Sequence, residues 1–286
     1  MKTKLTRILA GVMTAAMCVG LGACAKTPAA SGSGTASSTV SAGSTGTDKL
    51  AKIKASGKLI VGTSADYPPF EFHQIVSGQD KIEGADIEVA QAIAKDLGVK
   101  LQVEDMSFDG LLPALTTGTV DMVIAGMTVS DERKQSVDFS DIYYTVNLKL
   151  LMRKADVNKY KSLDSFNGKS VAAQTGTSNE DAVKTEQPKA NLVSLAKIPD
   201  MILELKSNKV EAVNLDSVVA ASYAKKNKDL AVSDLSYATP PDQTAIAVAK
   251  GDNTSYLAAV NKTLDSLVSG KKIEAWVTKY DDVANS

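Results

Sequence analysis

The chain has 286 residues, 44% apolar and 23% charged, with a formal net charge of −1. That balance belongs to a soluble globular protein and offers no basic face for nucleic acid. The single histidine, His73, argues against Ser-His-Asp, Cys-His and multi-histidine zinc chemistry, so no cofactor and no metal is expected.

At the start of the chain, Lys2, Lys4 and Arg7 precede an apolar run from Ile8 to Ala23. This is the outline of an export signal, with too few apolar residues for a good spanning helix of ~20. The run closes on Leu21-Gly22-Ala23-Cys24, which resembles a bacterial lipobox. The resemblance implies a signal peptide over residues 1–23, cleavage before Cys24 and diacylation of its sulfur, palmitate included. Cys18 then leaves with the signal and Cys24 carries lipid, so no disulfide or thiol nucleophile remains in the mature domain. Loss of Lys2, Lys4 and Arg7 leaves 29 of the 32 basic residues against 33 acidic ones. From Ala25 to Thr47 the chain is almost entirely Ala, Ser, Gly, Thr and Pro, a composition that cannot bury enough apolar surface to fold. Residues 24–47 are therefore read as a lipidated cysteine and tether, holding a domain on the order of 25 Å from its anchor. The expected place is the outer face of the cytoplasmic membrane, or its periplasmic face where there is an outer membrane.

About 240 residues remain from Asp48 onward, enough for one large domain or two lobes. The pattern predicts a strand over 58–62 and a helix over 85–97, with Ile87, Ala90, Ile93, Ala94 and Leu97 on one face and Gly98 as its stop. A strand over 99–104, a helix over 110–117 and a buried strand over 120–125 complete a βαβαβ run, hence a parallel sheet. The rhythm returns as strand 170–173, helix 179–186, strand 191–195, helix 199–207 and strand 210–215. Offset by ninety positions, 112–126 lies on 202–216: Leu115 meets Leu205, Val120 meets Val210 and Asp121 meets Glu211. Gly118 meets Asn208, the two residue types that best tolerate a left-handed helix cap. Any helix-turn-strand unit of this length would look similar, and either account leaves two α/β lobes.

Ligands of open α/β sheets bind beyond the carboxyl ends of the strands. One such end carries Gly126-Met127-Thr128 and then Ser130 as a helix N-cap, with Arg133 one turn into that helix. A guanidinium fork matches a carboxylate at two points. Gln174-Thr175-Gly176-Thr177-Ser178, between a strand and a helix, offers backbone N–H groups to an anion. Asp216, at the end of the second lobe's strand, supplies the opposite charge. An arginine and an aspartate from two lobes suit a zwitterion, which describes a free α-amino acid.

At these residues the chain resembles the family 3 extracellular solute-binding proteins, amino-acid receptors of ABC importers. The resemblance rests on Val61 to Phe72, Ser107 to Leu115, Gly126 to Arg133, Val137 to Asp141 with Tyr143-Tyr144, and Gln174 to Thr177, and covers nearly all of 58–280. It implies an α/β fold of the type II periplasmic-binding-protein kind, two α/β lobes joined by a two-strand hinge, with the ligand in the cleft. Lobe 1 would take 48–147 plus 243–286 and lobe 2 would take 148–242, with crossings near 143–148 and 240–244. Arg133 would hold the ligand carboxylate with the Thr128 and Ser178 N–H groups. Asp216, the Gly126 carbonyl and the Thr128 hydroxyl would hold the ammonium, and Thr177 would line the same pocket. Tyr67 and Phe108 would sandwich the ligand side chain, where core packing is their ordinary alternative. Ser64 stands where many receptors of polar and basic amino acids are acidic, and Gln174 suits an amide, so a glutamine-like ligand is expected.

The implied partners are the free L-amino acid, a permease and its ATPase subunits, with the receptor itself a monomer. A dehydratase on the same scaffold is the rival reading, with Glu71 the nearest general acid or base and no paired group evident; a sensor domain is the third. His73 reads as a surface residue, and Trp276 with Ile273, Val277 and Tyr280 reads as a packed helix face.

Overall fold

A computed structural model describes residues 48–286; the export signal, Cys24 and the tether expected over 1–47 lie outside them. The described chain enters through helix α1 (Lys49–Ser56), capped by the Asp48 carboxylate accepting from Leu50 N at 3.1 Å. Strand β1 (Lys58–Thr63) leads into an antiparallel ribbon of β2 (Asp66–Tyr67), β3 (Glu71–Val76) and β4 (Gln79–Glu83). Helix α2 (Ala85–Leu97), strand β5 (Lys100–Asp105), helix α3 (Phe108–Thr116) and the two-residue β6 (Met122–Val123) follow. Helix α2 has the expected bounds and ends at Gly98 with φ 74°. Strand β6 is shorter than the expected 120–125. The run from Met122 to Ala125 is buried throughout, but only Met122 and Val123 find register partners, in Val61 and Gly62 on one side and Val248 and Ala247 on the other.

A single-turn helix α4 (Arg133–Ser136) opens β7 (Val137–Val146), and β8 (Leu148–Arg153) begins one residue later. Then come β9 (Ser170–Gln174), α5 (Ser178–Glu186), β10 (Asn191–Leu195), α6 (Ile198–Lys206), β11 (Ala212–Asp216), α7 (Ser217–Lys226) and β12 (Leu230–Ser236). Strand β13 (Asp242–Ala249) and helices α8 (Thr254–Ser269) and α9 (Lys272–Ala284) complete the chain. Ile273, Val277 and Tyr280 are the buried face of α9, as their spacing predicts.

The strands form two five-stranded sheets, β5-β1-β6-β13-β7 and β10-β9-β11-β8-β12. In each, a parallel trio made by helical crossovers is extended by two antiparallel strands. The sheets are the cores of two α/β lobes. The chain passes between them at Asn147 and again between β12 and β13, and the crossing segments pair, Asp242 against Val146 and Thr244 against Tyr144.

The ninety-residue correspondence has an atomic counterpart. After α3 and α6 the backbone turns through Gly118 (φ 76°) and Asn208 (φ 61°), both left-handed. Asp121 N then donates to Ile60 O, and its carboxylate accepts from Ile60 N at 2.9 Å. Glu211 N donates to Ser170 O, and its carboxylate accepts from Ser170 N at 2.8 Å. Two acidic residues thus anchor neighbouring strands in the same way, one in each lobe.

Candidate functional site

The carboxyl ends of β1 and β6 in one lobe and of β9 and β11 in the other meet at a narrow cavity between the lobes. Among its lining residues are Ser64, Tyr67, Phe108, Gly126, Thr128, Gln174, Thr177, Ser178 and Asp216, so nine of the residues singled out from the sequence converge.

Gly126 follows the buried β6 run with φ 54°, and a Cβ there would lie 2.8 Å from Tyr67 Cε1. Only glycine allows both that left-handed turn and the Tyr67 ring against it. Arg133 stands beside the cavity. Its Nη1 donates to Thr128 O at 2.7 Å and its Nη2 to Gly176 O at 2.9 Å, which places one cation on carbonyls of both lobes. The guanidinium also lies 5.4 Å from the Phe108 ring centroid. The helix expected to start after Ser130 starts two residues later: residues 131–132 form a turn, and Arg133 is the first helical residue. Ser130 Oγ still accepts from Arg133 N, at 3.2 Å.

Asp216 answers from the other lobe. Tyr67 OH donates to its Oδ2 and Asn179 Nδ2 to its Oδ1 at 3.2 Å. Burial raises its pKa to about 7, with the charge of Asp242 adding to the effect and the Tyr67 and Asn179 bonds opposing it. Burial also lowers the pKa of Arg133. The charged form of each group is therefore under-solvated, a condition that an incoming group of opposite charge relieves. Thr128 Oγ1 and Ser178 Oγ lie 3.2 Å apart and both donate to Asp242 Oδ2. Thr177 lines the cavity, but its hydroxyl donates to Gln174 O at 2.7 Å and accepts from Glu180 N at 3.2 Å as the N-cap of α5.

The sequence reading passed over Asp66, Asn179 and Asp242 and gave Glu71 no partner. Asp66 is buried in the cavity wall, where its carboxylate accepts from Ile198 N at 2.8 Å, from Ser64 Oγ at 3.3 Å and from Gln174 Nε2 at 3.5 Å. Gln174 also donates to Ala196 O at 3.0 Å. Burial raises the pKa of Asp66 despite these bonds. Glu71 lines the cavity too and has a carboxyl neighbour after all, Asp86. Asp66 lay within a stretch already singled out; the other pairings join segments far apart in the chain and leave no local signal. His73 is exposed, with its ring nitrogens near Asp80 (2.9 Å) and Asp105 (3.3 Å), a surface position as expected.

The profile of the bacterial extracellular solute-binding proteins, family 3, matches residues 59–282. The chain is 41% identical over 175 residues to the arginine-binding extracellular protein ArtP of Bacillus subtilis, an alignment spanning 60% of this chain and 66% of that one, slightly under two thirds of the relative's length. Other relatives are named for cystine, histidine and glutamine. A solved amino-acid ABC transporter substrate-binding protein of Streptococcus pneumoniae bound to L-arginine superposes with a TM-score of 0.81 at 42% identity, covering 82% of this chain and 98% of that one. The ancestral amino-acid-binding protein AncCDT-1, described as a precursor of cyclohexadienyl dehydratase, gives 0.73 at 35% identity, covering 84% of this chain and 100% of that one.

Proposed function

The chain belongs to the bacterial extracellular solute-binding proteins of family 3, and we propose that it captures a polar L-amino acid by hinge closure and delivers it to the permease and ATPase subunits of an ABC importer. The observation that carries this reading is that Asp216 lines the cavity from one lobe while Arg133 of the other bonds the carbonyl of the lining residue Thr128. A ligand carboxylate would take the guanidinium from the Thr128 and Gly176 carbonyls. Its ammonium would take Asp216 from Tyr67, with the Gly126 carbonyl and the Thr128 hydroxyl beside it. Each exchange replaces a neutral partner by a charged one in a desolvated setting, where charge-assisted hydrogen bonds are strongest. Contacts made from both lobes at once favour the closed form.

For the ligand side chain, Gln174 supports the glutamine-like expectation. Asp66 supports a different choice. A buried carboxylate in the cavity wall, with Ser64 and Gln174 around it, favours a cationic side chain, and the arginine-binding relatives agree with this. An arginine-like ligand is therefore our preferred reading. Lobe 1 is assigned to 48–147 plus 243–286 and lobe 2 to 148–242, supported by the crossings at Asn147 and between β12 and β13. Anchoring through a diacylated Cys24 on the outer face of the membrane is supported by the Leu21–Cys24 pattern and the tether composition; among the described residues no helix is long and apolar enough to cross a membrane. We read the protein as a monomeric receptor and not as an enzyme.

The test is calorimetric titration of refolded protein, freed of carried-over ligand, against arginine, lysine, histidine, glutamine, cystine, glutamate and aspartate. One-to-one binding of one member supports the receptor reading. Silence across the panel sinks it and moves the dehydratase and sensor readings ahead.

A further inference from the structure

Glu71 and Asp86 are completely buried, one beginning β3 and the other in the first turn of α2. The start of α2 is pressed onto the segment that carries Glu71. Ala85 N donates to Pro69 O at 3.0 Å and Asp86 N to Phe70 O at 2.9 Å. A Cβ on Gly84 would fall 2.0 Å from Phe70 O and 2.8 Å from Glu71 N, so only glycine permits the approach. This sets Asp86 beside the residue next to Glu71, and each carboxyl acts on the other.

Their oxygens are not equally provided for. Asp86 Oδ2 accepts from Tyr143 OH at 2.7 Å and from Gly126 N at 3.1 Å. Asp86 Oδ1 and both oxygens of Glu71 have no donor among the described residues. Two adjacent carboxylates buried in this state would be strongly unfavourable; one proton removes one of the two charges and joins two of these three oxygens. We propose that the pair holds a single proton, which Glu71 donates to Asp86 Oδ1, and that the pair is the positioning element for Gly126. Glu71 is the acid and Asp86 the anion because Asp86 already receives two donors and Glu71 none.

The surroundings agree in sign. Glu71 is raised well above the usual carboxylate range by burial and then by Asp86, Asp66 and Asp105. Asp86 is raised to about 6 by burial, with the Tyr143 and Gly126 bonds holding it down. The phenols facing the pair, Tyr67 and Tyr143, are pushed up and stay neutral donors. No lysine or arginine is among the groups acting on either carboxyl. The anion of the pair fixes the amide of Gly126, the left-handed residue behind the cavity. Its carbonyl is the one assigned to the ligand ammonium, a clause that rests on the function proposed above.

The experiment is 13C NMR of the side-chain carboxyls in the whole protein, with Glu71 assigned by comparison with E71Q. The resonance is expected to stay at its protonated position through neutral pH, far above the ordinary titration of a glutamate near ~4.3. The Gly126 amide resonance is read in E71Q, which keeps a donor, and in E71L, which lacks one. It should remain in place in E71Q and shift in E71L. Ordinary titration of Glu71 overturns the shared proton, and an unmoved Gly126 amide in a folded E71L overturns the positioning role. Because both spectra are taken without ligand, failure of the receptor reading leaves them to decide the pair alone.

Discussion

Replacing Asp216 by asparagine should make the fold more stable and the binding weaker, and the two effects have one cause. Asp216 is buried, its pKa is raised to about 7 from 3.8, and desolvation is the largest contribution. A carboxyl whose folded pKa lies above its unfolded one contributes full stability below the unfolded value and loses it as pH rises through the folded value. Between pH 4 and pH 7 the unliganded protein therefore loses stability on account of Asp216. About three pKa units at ~1.4 kcal/mol each set the loss at ~4 kcal/mol. D216N keeps the shape, accepts from Tyr67 and escapes the desolvation cost, so above pH 7 it should gain part of that amount. Binding moves the other way, since an ammonium left in a buried site without its counter-ion costs ~3–5 kcal/mol, a loss of at least a hundredfold in affinity. The assay is thermal or urea unfolding of the unliganded wild type and D216N at pH 5 and pH 8, with calorimetric titration in two buffers of different ionisation enthalpy. Wild type should release close to one proton on binding at pH 6, and D216N should release none from this source. A variant less stable than wild type at pH 8, or one that binds as tightly as wild type, would refute the reasoning.

Gly126→Ala forces a side chain into φ 54° and against the Tyr67 ring; it should lower stability by about 1–3 kcal/mol and binding more than tenfold, read by melting and titration. Asp121→Ala and Glu211→Ala each orphan a strand N–H that now meets a carboxylate; each should cost about 1.5–3 kcal/mol in urea unfolding with ligand affinity nearly unchanged. Asp66→Asn keeps an acceptor for Ile198 N but removes the charge. In competition titrations it should weaken arginine and lysine at least tenfold while sparing glutamine, and an equal loss for all three would make Asp66 only a link between the lobes.

The parts of this architecture that could be read from sequence are those whose signal is local. Helix α2 shows its apolar face and glycine stop within a dozen residues, and the Gly118 and Asn208 turns are set by residue type. The matching of Asp121 with Glu211 was visible as a repeat, and only the structure shows that both tie a strand to its neighbour. Arg133 and Asp216 could be singled out from the sequence because ligands of open sheets bind beyond the carboxyl ends of strands. Asp242, Asn179 and the partner of Glu71 could not. Asp242 joins Thr128 to Ser178 only where the crossing strands bring three distant segments together, and Asp86 reaches Glu71 because Gly84 lets α2 approach Phe70. Asp66 stands two residues past Ser64, but its carboxylate meets Gln174 and Ile198 only across the cavity wall, more than a hundred residues away in the chain.

A crystal structure of the protein with its amino acid bound tests the central claim most directly. The account predicts the ligand carboxylate on the Arg133 guanidinium, its ammonium on Asp216 and the Gly126 carbonyl, and Tyr67 and Phe108 on either side of its side chain. A ligand bound in the reverse sense, or outside the cavity between the lobes, would contradict it.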